Sequence, residues 1–192
     1  MSKAFYLTFD GAPNPPGTDR ILDILAKYDV KATFFMEGKR LENNAECARR
    51  VLQAGHDIGN HSYNHPNFDS IPLELCLEEV YKTEKILAEK LDLKTKLIRP
   101  PAGKLNKGVE KALINLGYTI VLWSYSVRDW EGPDAESIAA RTLSQLRPDA
   151  VVVFHDHVEW VPDVLELIIP ELRRKGYTFK KISEHSLEAK IK

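Results

Sequence analysis

A chain of 192 residues, 43% hydrophobic and 29% charged, is long enough for one substantial core and too short for two comfortable domains, so one domain over 1–192 is expected. Its formal net charge of −1 gives no basic excess for a nucleic-acid or anionic-membrane partner, and no apolar run approaches the roughly 20 residues of a spanning helix. Met1-Ser2-Lys3-Ala4 enters a strand-like run with no signal-peptide core, so the expected location is cytoplasmic as written, or extracellular or cell-envelope if a leader has been removed.

Ala4–Phe9 is a short β-rich run broken by Asp10-Gly11-Ala12-Pro13-Asn14-Pro15-Pro16-Gly17, after which Thr18 is placed to cap a helix with Ile21, Leu22, Ile24 and Leu25 apolar. The alternation recurs with a strand over Lys31–Met36, a helix over roughly 43–54 ending at Gly55, and a long helix over roughly 73–92. A strand near Thr95–Ile98, the loop Arg99-Pro100-Pro101-Ala102-Gly103, a helix from Asn106 to Leu116, and a strand over Thr119–Trp123 follow. A polar loop with Asp129-Trp130 leads to a helix over roughly 134–146, then to the strand Ala150–Phe154 ending at His155-Asp156. A helix over roughly 161–175 and a strand near Tyr177–Ile182 complete the pattern, with Cys47 and Cys76 reading as reduced, apolar helix residues. Strands alternating with helices imply a parallel sheet with right-handed crossovers, and chemically suggestive residues fall just after the strands. In a β/α barrel those positions share one face; since such barrels usually need about 250 residues, an abbreviated or incompletely closed one is expected.

The densest of those positions is Gly55-His56-Asp57-Ile58-Gly59-Asn60-His61-Ser62-Tyr63-Asn64-His65-Pro66. On a helical turn, i and i+4 point the same way, so His61 and His65 can offer ring nitrogens to one divalent ion at about 2.0–2.1 Å; Asn60 or Ser62 can cap the turn. Such a pair alone is as readily a solvated helix face. Other strand ends add Asp10, Arg99, Asp129 with Trp130, and His155. Together they suit hydrolysis of an unactivated acyl bond: an ion on His61 and His65 acidifies a water, Asp10 takes its proton, and His155 protonates the leaving nitrogen. Asp129 then orients His155 and Arg99 holds Asp10. The backbone N–H of Ala102, in a Pro-rich turn, can face the oxyanion, a contact typically worth about 2.7–4 kcal/mol. Each residue also has an ordinary role: an Asx turn for Asp10, a surface charge for Arg99, packing for Trp130, a satisfied strand-end histidine for His155.

From Thr8-Phe9-Asp10 to Val153-Phe154-His155-Asp156 the chain resembles the polysaccharide deacetylases of carbohydrate esterase family four, most specifically at residues 55–66 and 99–103. The resemblance implies a distorted, incompletely closed (β/α) barrel of about seven parallel strands and metal-dependent deacetylation of N-acetylated sugars in chitin-like or peptidoglycan chains. It implies Asp10 as base, His155 as acid, Arg99 and Asp129 as their holders, and His61 and His65 as ligands of a divalent ion, zinc first and cobalt or nickel next. Ala102 and Trp130 fall at substrate-contacting positions. Gly11 stands where the family's second aspartate, a third ligand, is usual, which points to weak ion binding or none. Ser126 stands where an aspartate is common, and Ala102 replaces an aromatic residue. Two other readings stay open: a hydrolase of a small cyclic amide or ureide on the same fold, and a non-catalytic carbohydrate-binding protein without a metal.

Overall fold

The computed structural model describes residues 3–132 and 134–185. Its elements run in chain order as β1 (Lys3–Ala12), α1 (Gly17–Lys27), β2 (Thr33–Met36), α2 (Gly38–Asn43), α3 (Ala45–Gln53), β3 (Asp57–Asn60), α4 (Leu73–Leu91) and β4 (Leu97–Ile98). They continue as α5 (Lys107–Asn115), β5 (Thr119–Ile120), β6 (Tyr125–Ser126), α6 (Ala135–Ser144), β7 (Ala150–His155), α7 (Val161–Arg174) and β8 (Tyr177–Phe179). The sheet runs β5-β4-β3-β2-β1-β7-β6, with β8 branching from β1, and every pairing is parallel. This is a curled half-barrel with helices around it, the incompletely closed (β/α) barrel expected.

β1 is the axis of the sheet because its two faces carry different chemistry at a period of two residues. Phe5, Leu7 and Phe9 face the main core with Ile21 and Leu25 of α1 and Val164, Leu165, Ile168 and Leu172 of α7. Phe9 stacks on Phe34 at 4.8 Å between ring centroids. Ala4 and Tyr6 belong to a second cluster with Phe35, Val121 and Val151. Thr8 and Asp10 continue that inner row in polar form toward the C-terminal strand ends. The register brings the chemistry to one level: Asp10 lies beside Phe35 and His155, Met36 beside Asn60, and Asn60 beside Ile98. His61 and Arg99 follow the last two directly.

Several expectations are corrected. The helix expected over 43–54 is two helices broken at Asn44, whose side chain donates to the Arg40 carbonyl at 3.0 Å. Thr18 lies inside α1, and Pro16 occupies the N-cap position. The 119–123 strand pairs only over Thr119–Ile120, and β3 and β6 arise where no strand was expected. His61 and His65 lie on an irregular loop with left-handed backbone at Ser62 (φ 66°) and His65 (φ 61°), so helical spacing is not what joins them. Both cysteines are free and buried, and no described helix is long and apolar enough to cross a membrane.

The Pro-rich segment after β1 is tied to the end of β7. The Thr18 hydroxyl donates to Asp156 Oδ2 at 2.5 Å, and the Asn14 N–H donates to the same oxygen at 3.0 Å. Gly17 makes this approach possible, since a Cβ there would lie 2.0 Å from the Asp156 carbonyl oxygen. Gly17→Ala must displace backbone, and overpacking of this kind typically costs about 1–3 kcal/mol. Thermal unfolding should show a lowered midpoint; an unchanged midpoint would mean the contact is not tight.

Candidate active site

A cavity of about 600 Å³ opens among the C-terminal strand ends, lined by Asp10, Gly11, His61, His65, Ala102, Trp130 and His155 among others. Arg99 and Asp129, both fully buried, stand behind this wall rather than in it. Arg99 donates from Nη1 to Asp10 Oδ1 and to the Thr8 hydroxyl at 2.7 Å each, from Nε to the Val121 carbonyl at 3.0 Å, and from Nη2 to the Leu122 carbonyl at 3.2 Å. Its guanidinium lies 4.2 Å from the Phe35 ring centroid, so this buried cation is paired, hydrogen-bonded and stacked. Burial by itself would raise the Asp10 pKa. The charges of Arg99, His61 and His155, with the Arg99 hydrogen bond, outweigh it and hold the carboxyl below its ordinary value. The Asx turn is therefore not its role.

His155 is clamped twice. Its backbone N–H donates to Asp129 Oδ2 at 2.7 Å, and its Nδ1 bonds Oδ1 of the same carboxylate at 2.9 Å. Burial would lower its pKa, but Asp129 and the more distant Asp10 raise it overall, favouring imidazolium. With Nδ1 committed, Nε2 is the atom left for chemistry, and the Trp130 ring meets the imidazole edge-on at 5.0 Å. A carboxyl whose pKa is held down and an imidazole whose pKa is raised thus share one cavity, suited to accept a proton at one point and release one at another.

His61 is oriented by the same arginine, its Nδ1 lying 2.7 Å from the Arg99 carbonyl oxygen. A carbonyl only accepts, so Nδ1 carries the proton and Nε2 keeps its lone pair. Burial lowers the His61 pKa and favours this neutral form. His61 Nε2 is 3.8 Å from Asp10 Oδ2, too far for a hydrogen bond, and the His61 and His65 ring centroids are 4.9 Å apart. The loop between them is held by Asn60 Oδ1, which accepts from the Ser62 N–H at 2.8 Å, and by Ser62 Oγ, which accepts from the His65 N–H at 3.1 Å. Two imidazoles this close suit a divalent ion. Gly11 adds no donor, and among the described residues no group of three or more His, Cys, Asp or Glu side chains is arranged as a ready cage.

Glu37, Arg40, Trp123, Ser126 and His157 also line the cavity and were not singled out as site residues. Glu37 obeys the same rule as the others, following β2 directly. Its signal in the sequence was only that position.

The polysaccharide deacetylase family model matches residues 1–121. A peptidoglycan-N-acetylglucosamine deacetylase from Bacillus cereus is 36% identical over 177 residues, 90% of this chain and 64% of the relative, so the chain spans just under two thirds of that protein's length. The solved structure of the peptidoglycan deacetylase PdaC from Bacillus subtilis superposes with a TM-score of 0.89 at 31% identity, covering 95% of this chain and 89% of that one. A CE4 family pseudoenzyme from Bacillus anthracis superposes with a TM-score of 0.90 at 30% identity, covering 95% of this chain and 65% of that one.

The Asp129 clamp gives a signed expectation. Asp129→Asn removes the charge that raises His155, so the His155 pKa followed by NMR titration should fall below its native value and imidazolium should be lost at lower pH. An unchanged titration would mean that Asp129 does not set the charge of His155.

Proposed function

The chain belongs to the polysaccharide deacetylase family, and on that premise we propose that it hydrolyses the acetamido group of N-acetylated sugars in a peptidoglycan-like or chitin-like glycan. The observation that carries this reading is the pair formed by Asp10 and His155, each fixed by its own buried partner and both facing one cavity. Asp10 takes the proton of the attacking water, and Arg99 keeps that carboxylate ionised and aimed. His155 delivers a proton from Nε2 to the departing sugar nitrogen, held as a donor by Asp129. The Ala102 N–H, in a turn where Ala102 has φ 53°, faces the oxyanion, and Trp130 forms a wall against the sugar. His61 and His65 would hold a divalent ion, zinc first and cobalt or nickel next, which when bound supplies polarisation of the acetyl carbonyl and acidity to the attacking water.

A second reading, carbohydrate binding without turnover, is favoured by one observation, the absence of a side chain at Gly11. Against it stand the buried Arg99 and Asp129, which hold Asp10 and His155 toward the cavity. The reaction consumes water and releases acetate and a free amine. Asp10→Asn and His155→Ala should each reduce acetate release from N-acetylglucosamine oligomers by about 10²–10⁴-fold while circular dichroism stays native. Native protein that binds the oligomers and releases no acetate, with or without added zinc, would move the assignment to the second reading.

A further inference from the structure

We propose that Glu37 supplies the anionic metal donor that position 11 lacks, moving the carboxylate from the end of β1 to the end of β2. This rests on the reading of His61 and His65 as the ion's other donors. Gly11 has φ 83° and no side chain, and the atoms nearest to where its Cβ would stand are Glu37 Oε1 at 3.4 Å and His157 Nδ1 at 3.7 Å. A carboxylate from the neighbouring strand end thus reaches the space beside residue 11. Backbone hydrogen bonds place Glu37 between the two halves of the site. Its N–H donates to the Ala12 carbonyl at 2.9 Å on the Gly11 side. On the other side, the His61 N–H donates to the Met36 carbonyl at 2.9 Å, and the Gly38 N–H donates to the Ser62 carbonyl at 2.8 Å.

The carboxylate is also divided in a useful way. Oε2 accepts from Arg40 Nε at 3.0 Å, and Arg40 in turn donates to Asn14 Oδ1 at 3.1 Å, leaving Oε1 as the oxygen beside Gly11. The Glu37 side chain is only 15% exposed, and it lines the same cavity as His61, His65 and Asp10. Oε1 is therefore the oxygen offered to the ion, while Oε2 keeps its Arg40 contact. Two imidazoles with one carboxylate form a common donor set for zinc. Asp10 then needs no recruitment as a ligand and stays available for proton transfer.

Zinc titrated by calorimetry into native protein, Glu37→Gln, Arg40→Ala and His157→Ala tests the proposal, with circular dichroism verifying each fold. Glu37→Gln should weaken zinc binding on the order of 100-fold, while Arg40→Ala and His157→Ala should stay near native affinity. The proposal is overturned if Glu37→Gln binds as tightly as native, if Arg40→Ala weakens binding equally, if the loss follows His157 instead, or if native protein binds no zinc. Acetate release by native protein is measured separately. Turnover with unchanged zinc affinity in Glu37→Gln sinks this inference and leaves the hydrolase reading standing, whereas Glu37-dependent zinc binding without turnover does the reverse.

Discussion

The buried pairing of Arg99 with Asp10 is the constraint on which the rest of the site depends. Arg99 contacts β1 through Thr8 and Asp10, the segment after β5 through the Val121 and Leu122 carbonyls, and β2 through the Phe35 ring. Its own carbonyl fixes the tautomer of His61. Desolvating such a pair costs several kcal/mol per ion before the attraction is counted, so net stability is a weak reason for its presence. What it provides is geometry: a carboxylate and an imidazole, both nearly inaccessible to solvent, are aimed at the cavity from one rigid residue.

His155 solves the same problem independently. A single carboxylate, Asp129, binds both its ring and its main-chain N–H, so the side chain cannot turn without breaking its ring bond to the carboxylate that also holds the end of β7. The two proton-transfer candidates are therefore fixed at neighbouring positions on the paired strands β1 and β7 by separate buried charges. They also influence each other, because Asp10 helps to raise His155 and His155 helps to lower Asp10.

Much of this organisation was visible in the residues, because helix periodicity and the rule that chemistry follows strand ends are local signals. The long helices were placed within a residue or two, and the half-barrel followed from the alternation. The errors share a physical cause. Two-residue β6 exists through pairing with Val152 and Val153, and a strand so short has no pattern of its own. His61 and His65 were joined by a helical argument, yet the loop is shaped by Glu79 of α4, whose Oε2 accepts from the Tyr63 and Asn64 N–H groups at 2.9 and 2.6 Å. Glu37 and His157 escaped notice because their proximity to Gly11 exists only once β1, β2 and β7 are side by side.

Gly11 also bears on what a substitution at this site would require. Its left-handed backbone, φ 83°, disfavours any residue with a Cβ, and the adjacent Glu37 oxygen would set a like charge against an aspartate placed there. An aspartate at position 11 thus meets a strained backbone and a neighbouring carboxylate at once, and relieving the second requires a change at Glu37 as well.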